Sequence, residues 1–425
     1  MSIVYIVFTL FVLLALFDLK KAVLLYAPWK LFFNFNVRFG SFTFDFAISL
    51  VFIIIFLFKR KTLCNKNFPF YKSFVVYGIL YSLTCLIPHV VISFIPRIIV
   101  MVLGFSYIYY FCLKSVKDVK FAVISYALFA IILCANGLLA PLFGINPLDD
   151  YLQSISFEDE SIFIDNEWLR MGNVRYRSFI PHAISYGVAC IIILYLLVWY
   201  YLNVILSKDR EYGIVMLISI LLLFSGVIIS GSRTPILGLL PLVFLFFYLK
   251  YIPKQAKRVI CIGFLLSLFA FGEYIIYSIQ SLLDNKIAED AGGSSTDLRF
   301  EQYEIAWQWM KEDFIFGKGM DFDAFRANSS ILGAESVWLP LMFNNGIVGV
   351  ISYILFYYYI IKKFPHNKIC RIYLSIIIIG WLLMRTATSL IGVSDAQFLT
   401  VFFCIYKYYQ LQDENNETII CYPCL

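Results

Sequence analysis

The chain has 425 residues, of which 61% are hydrophobic, 19% aromatic and only 15% charged. A soluble chain of this length carries roughly a quarter of its residues charged, and here the deficit runs along the whole length, so no separate soluble domain is expected. The net charge of +6 is modest. No basic cluster with interleaved aromatics stands in a water-exposed segment, which argues against nucleic acid as a partner.

A helix needs about 20 mostly apolar residues to cross a bilayer, and such stretches recur along the chain. Continuous runs such as Ile191 to Leu206 and Tyr353 to Ile361 exclude the short alternating segments of a barrel. In chain order the predicted spans are 2–18, 40–58, 73–88, 96–113, 121–143, 181–206, 213–230, 235–252, 259–279, 337–361, 371–391 and 396–411. The expected fold is an all-α integral membrane protein, a single polytopic domain over 1–425 with about 12 transmembrane helices (range about 10–13). The first run, Ile3 to Phe17, lacks a basic leader and a small-residue cleavage site, so it is read as a membrane helix. Cys85, Cys112, Cys134, Cys190, Cys261, Cys370 and Cys404 fall inside apolar runs and are read as small buried hydrophobes. The Cys421-x-x-Cys424 pair has no second pair of ligands near it in sequence.

Basic clusters follow every even-numbered span: Lys59, Arg60 and Lys61; Lys114, Lys117 and Lys120; Lys208 and Arg210; Lys250, Lys254, Lys257 and Arg258; Lys362, Lys363 and Lys368. The positive-inside rule then places both termini, including the tail 412–425, in the cytoplasm. Lys20, Lys21, Lys30 and Arg38 break this pattern on the outer side, and Ala27 to Phe39 is expected to lie flat or re-enter.

Two larger loops map to the outer face. Residues 144–179 are acidic first (Asp149, Asp150, Glu158, Asp159, Glu160, Asp165, Glu167) and then basic (Arg170, Arg175, Arg177). In residues 280–336, Ser294-Ser295-Thr296-Asp297 offers caps for a helix through about Glu312. Phe300, Tyr303, Trp307 and Met310 recur there at helical spacing, a face suited to the membrane surface or the bundle. Gly317-Lys318-Gly319 ends it. A transporter built from inverted repeats would show two similar halves and short loops; the sequence has neither, which favours work at the outer face.

Ionisable residues inside spans are costly and need a partner or a task. Asp45 and Glu273 read as ion-pairing or snorkelling groups. Arg233, in the junction Ser230-Gly231-Ser232-Arg233-Thr234-Pro235, is flanked by small residues that let a ligand approach, and its guanidinium can hold an anion bidentately. Arg385 lies in the outer third of the eleventh span. Arg175, Arg177 and Arg299 fall on the same outer side, and such a set suits a phosphorylated lipid. Some of these arginines have an alternative partner in the acidic half of their own loop.

Three elements together resemble the O-antigen polymerase and ligase superfamily. They are Ser230-Gly231-Ser232-Arg233 at a span junction, an outer loop with Arg299, an aromatic helix and Phe316-Gly317-Lys318-Gly319, and Glu335-Ser336-Val337-Trp338-Leu339-Pro340-Leu341-Met342-Phe343-Asn344-Asn345-Gly346-Ile347-Val348-Gly349 opening the next span. The likeness covers roughly Arg177 to Gly349. It implies a GT-C-like membrane glycosyltransferase acting on undecaprenyl-pyrophosphate-linked oligosaccharide at the periplasmic face of the bacterial inner membrane. The partners it implies are that lipid-linked substrate, membrane lipid, and a chain-length regulator and flippase of the same pathway. Ligases of the superfamily carry a histidine where this sequence has Glu335, which tilts the reading toward a polymerase of repeat units.

On that resemblance Arg233, Arg299 and Arg177 are expected to neutralise the pyrophosphate without metal, with Glu335 activating the acceptor hydroxyl. Arg175, His182, Tyr303, Lys318 and Arg385 are expected to contribute to substrate binding, although a lone histidine such as His182 is more often structural. No cofactor is expected. Asp321-Phe322-Asp323 is a D-x-D and leaves a divalent cation as the alternative. The rival functions are an O-antigen ligase, which transfers finished glycan to lipid A core, and a lipid-linked-oligosaccharide flippase.

Overall fold

The computed structural model describes residues 2–33, 37–39, 42–63, 67–88, 93–155, 169–170, 173–205, 212–248, 296–331, 336–365, 367–388 and 393–414. The ninth predicted span, Glu335, most of the acidic run in the first loop and the Cys421–Cys424 pair lie outside these residues.

Helices account for almost all the described chain: α1 (Ser2–Trp29), α2 (Phe44–Leu63), α3 (Tyr71–Leu86), α4 (Phe94–Cys112), α5 (Val116–Phe143), α6 (Pro147–Ile155), α7 (Ala183–Val204), α8 (Gly213–Ile229), α9 (Arg233–Tyr248), α10 (Thr296–Glu312), α11 (Ala324–Ala327), α12 (Trp338–Ile361), α13 (Lys368–Thr386) and α14 (Val393–Glu414). Two antiparallel pairs of two-residue strands, Arg38–Phe39 with Phe42–Thr43 and Leu169–Arg170 with Asn173–Val174, tighten two connections. Among the described residues, six helices are long and apolar enough to cross a membrane: α1, α4, α5, α7, α12 and α13. The chain is thus a multi-pass membrane protein, and among the described residues its apolar runs are helical, as expected.

The deepest helix is α7, whose residues from Tyr186 to Tyr200 are all buried. Neighbouring helices on several sides cover it, including α8, α9 and α14. A helix apolar around its whole circumference has no face for water and belongs at the centre. The six described cysteines of the apolar runs are all buried free thiols.

The N-terminus departs from expectation. By length, α1 could be one span, but its backbone leaves helical geometry at Asp18 (φ −139°, ψ 85°). The Asp18 carboxylate accepts the backbone N–H of Lys21 at 3.1 Å, so Asp18 caps a second helix that begins where the first ends. The rings of Phe11 and Tyr26 then meet edge to face at 5.1 Å, and those of Phe8 and Phe44 at 5.7 Å. In a straight helix, Phe11 and Tyr26 would be about 22 Å apart, so the chain reverses.

This reversal corrects the side given to Lys20 and Lys21. Lys20 pairs with Asp118 at 2.6 Å, beside the start of α5, and Lys59 donates to the carbonyl of Leu16 at 2.6 Å. Both lysines therefore join the lysine-rich end with Lys59, Lys114 and Lys117. Of Ala27 to Phe39, the segment expected to lie flat or re-enter, Ala27 to Trp29 close α1 and Arg38–Phe39 form a strand. The second half of α1 runs back to the opposite end. There Lys30 is fully buried and pairs with the equally buried Asp45, which Tyr26 also contacts at 2.9 Å. The ion-pair reading of Asp45 is the one its geometry supports.

Of the predicted aromatic face on α10, only part is buried. Ala306 and Met310 are buried and Tyr303 is half-buried, whereas Phe300 is 69% and Trp307 44% exposed. Gln302 joins the buried side and donates to the carbonyl of Ser330 at 2.9 Å. A second small core forms here from Ala306, Ala324, Ile331, Leu339 and Phe343, apart from the main one.

Candidate active site at the arginine end

The turn between α8 and α9 bends at Gly231, whose φ of +57° suits glycine. Ser230 and Ser232 turn their hydroxyls onto the backbone, to the carbonyls of Val227 (2.7 Å) and Ser230 (3.1 Å). Arg233 opens α9 and is only 8% exposed. Gly187 of α7 lies directly against Ser230 and Pro235, which seats the turn on the central helix.

Three further segments are tied to this turn. Thr234 donates its hydroxyl to the carbonyl of Ala387 at 3.0 Å, just beyond α13. The carbonyl of Arg385 accepts the N–H of Val337 at 3.0 Å, at the threshold of α12. Tyr176 donates its N–H to the carbonyl of Ile229 at 3.1 Å, which brings the Arg175–Arg177 segment beside the turn. The Tyr303 hydroxyl, from α10, donates to Ser336 at 2.7 Å. Arg299 stands one helical turn before Tyr303, a spacing that shares a face, and is half-buried. Thus the Arg233 turn, the Arg385 segment, Tyr303 and the residue after Glu335 are joined through successive hydrogen bonds.

The remaining expected residues have local partners. Arg177 pairs with Asp149 at 2.7 Å and donates to the carbonyl of Pro181 at 2.9 Å, the own-loop pairing that the charge pattern allowed. Burial pushes the Asp149 carboxyl above the usual carboxylate range, against the opposing pull of Arg177. His182 caps α7, its Nδ1 accepting the N–H of Ile184 at 3.1 Å. Lys318 is held by Glu312, and by Asp313 at 3.3 Å, and the Glu312 hydrogen bond raises its pKa. Asp323 caps α11 and pairs with Arg326 at 3.1 Å. Asp321 is exposed beside it.

Arg385 is 1% exposed and points inward. Its Nε donates to Tyr353 at 3.4 Å, its guanidinium lies 5.3 Å from the Trp381 ring, and Asp395 stands 4.0 Å away. Its side chain therefore faces the helix interior, while its carbonyl holds α12. Sequence reasoning missed Asp395. At the start of a span it reads as an ordinary acid at a helix N-terminus; only its proximity to an arginine two helical ends away marks it.

The loop after α10 repairs a break in α12. Gly346 leaves helical geometry (φ 61°, ψ −160°), which frees carbonyls and N–H groups on both sides. Lys318 and Gly319 donate their N–H groups to the carbonyls of Phe343 (2.7 Å) and Asn344 (3.1 Å). Ile347 and Val348 donate theirs to the carbonyls of Phe314 (2.9 Å) and Ile315 (3.2 Å). Four backbone bonds thus satisfy groups that would be expensive to leave unpaired in an apolar bundle. The Phe316–Gly319 and Asn344–Gly346 motifs, far apart in sequence, form one structural unit.

These features define a helical multi-pass membrane protein in which the Arg233 turn, the Arg385 segment, Tyr303 and Ser336 come together at one end. Residues 218–354 match the family model Wzy_C, described as O-antigen ligase. Members of that family are membrane glycosyltransferase-type enzymes acting on lipid-linked glycans. The match takes in α8, the Arg233 turn, α10 and α12 through its break. No curated protein matches the chain.

Proposed function

We infer that this protein polymerises undecaprenyl-pyrophosphate-linked repeat units into an O-antigen or related surface polysaccharide at the outer face of the bacterial inner membrane. The observation that carries this reading is the hydrogen-bonded path from the Arg233 turn to Ser336. It ties an arginine suited to a pyrophosphate to the residue next to a carboxylate. In the reaction, the anomeric C–O bond to the pyrophosphate breaks and a glycosidic bond forms to a hydroxyl oxygen of the acceptor unit. Arg233, with Arg299 and Arg175, stabilises the negative charge left on the pyrophosphate. Glu335 takes the hydroxyl proton. His182 and Arg177 orient the start of α7 beside the turn. Arg385 serves the site through its backbone and not as a ligand.

The ligase reading draws support from the description of the matched family, whereas Glu335 in place of a histidine favours polymerisation. A chromosomal deletion separates the two. Loss of a polymerase leaves at most one repeat unit on lipid A core, and loss of a ligase leaves long glycan on its lipid carrier. In the complemented deletion strain, Arg233→Ala and Glu335→Ala proteins are expected to insert normally and to leave single repeat units unextended. Long-chain polysaccharide in both variants would remove these residues from the mechanism. Activity in excess chelator, against rescue by Mg²⁺ or Mn²⁺, tests the metal-free clamp.

A further inference from the structure

The loop that mends α12 also forms one wall of a cleft of about 530 Å³. This lies within the range of a few hundred to a thousand Å³ typical of small-molecule sites. The opposite wall is the end of α3, at Ile87 and Pro88. Phe314, Phe316 and Phe322 supply flat apolar surface, and Asp313 and Lys318 supply the polar groups. Phe314 is 49% exposed and Ile87 52% exposed, so the aromatic wall is open to an incoming molecule.

The charges at this cleft select its occupant. The charged lining residues are Asp313 and Lys318, and Lys318 is already neutralised by Asp313 and by Glu312 beside the cleft. A phosphate finds here a cation already paired with carboxylates, whereas an uncharged, hydroxyl-rich molecule finds a carboxylate acceptor, an ammonium donor and aromatic faces for its C–H surfaces. An isoprenoid chain would leave the charged groups unanswered.

We propose that this cleft is a glycan subsite, which binds sugars of the lipid-linked substrate away from the pyrophosphate. The inference rests on the polymerase or ligase reading of the arginine end. Both sites share the outer part of α12: Val337 is tied to the Arg385 segment, and Asn344 to the cleft loop. Along a helix these two residues are about 10 Å apart at 1.5 Å per residue. The subsite therefore contacts sugars set back from the reacting one, and it governs which glycan is accepted and how long it is retained.

The test uses full-length protein in detergent with the lipid-linked repeat unit purified from the deletion strain, and the same oligosaccharide released from its carrier by mild acid. Phe314→Ala removes a ring while its carbonyl still accepts from Ile347 of α12, and Asp313→Asn neutralises a carboxylate whose backbone bonds go to Trp309 and Gly317. Both variants are expected to raise KM about three- to tenfold with little change in kcat, as for loss of one aromatic or hydrogen-bonded contact. They are also expected to shorten the modal chain in complemented cells. The released oligosaccharide should inhibit the wild type competitively and the Phe314→Ala protein more weakly. Unchanged KM, chain length and inhibition in both variants would overturn the proposal. So would inhibition through Phe314 by a polyprenyl phosphate but not by the free oligosaccharide, which would make the cleft a lipid groove. A wild-type protein inactive on the lipid-linked unit would instead defeat the function proposed above.

Discussion

Phe11 and Tyr26 pack edge to face with their ring centres 5.1 Å apart, although both belong to the same N-terminal apolar stretch. The contact exists because Asp18 ends one helix and caps the next. The reversal moves Lys20 and Lys21 to the lysine-rich end. With the positive-inside rule, the reversal predicts an N-terminus on the side opposite the end of α14, whereas the apolar runs alone lead to the expectation that both termini are cytoplasmic. An epitope before Ser2 should be reached by antibody in intact spheroplasts, and one after Glu414 only after permeabilisation. Equal accessibility of the two tags would exclude the reversal.

Gly317 and Gly346 approach so closely that a Cβ on Gly346 would sit 2.5 Å from the Gly317 nitrogen, and one on Gly317 2.6 Å from the Gly346 nitrogen. Both also have positive φ, 70° and 61°. Alanine at either position is expected to destabilise the protein by about 1–3 kcal/mol. Thermal unfolding in detergent measures this, and cleavage by trypsin at Lys318 should accelerate as the loop leaves α12. Alanine at the open Gly144, with nothing near its Cβ, should leave cleavage at Lys318 unchanged.

Arg385 and Asp395 form a pair in which the arginine is 1% exposed. Removing one partner of a buried pair costs about 3–5 kcal/mol, and replacing both with apolar groups is far milder. Arg385→Ala alone should therefore lower the melting temperature more than Arg385→Met combined with Asp395→Leu. Comparable losses in the single and double variants would show that the two charges are not coupled.

Asp149 and Arg177 give a prediction in pH. Burial raises the Asp149 pKa in the fold, and Arg177 opposes that rise. In Arg177→Ala the upward push of burial is opposed only by the Gln153 hydrogen bond, a smaller effect, so the folded protein binds the carboxyl proton more tightly than the unfolded chain does. Stability of the variant should then fall as pH rises through its raised folded pKa. Melting curves from pH 5 to 8 test the sign: a wild-type slope steeper than that of the variant would contradict it.

Much of the candidate site was legible in the sequence because its signals are local. Thr296 to Glu312 forms the helix that its caps and spacing indicated, and Arg233 sits in a tight turn because small residues surround it. The orientation of Arg385 was not legible. Its position near the outer end of a span is compatible with facing ligand or interior, and only the packing of Trp381, Tyr353 and Asp395 around it decides. The split of the α10 face was equally hidden: Phe300 and Tyr303 look alike by spacing, yet only Tyr303 reaches Ser336.

The sequence by itself determined the class of this protein, since long apolar runs leave no alternative to a helical bundle in a membrane. It also located the arginine-bearing junction and the outer loop helix, which short-range chemistry specifies. Tertiary structure alone decided the reversal at Asp18, the repair of α12 by the loop at Gly317, and which charges face inward. Each of these depends on segments that meet only when the chain folds. The hydrogen bonds and ring contacts that hold them cannot be read from either segment alone.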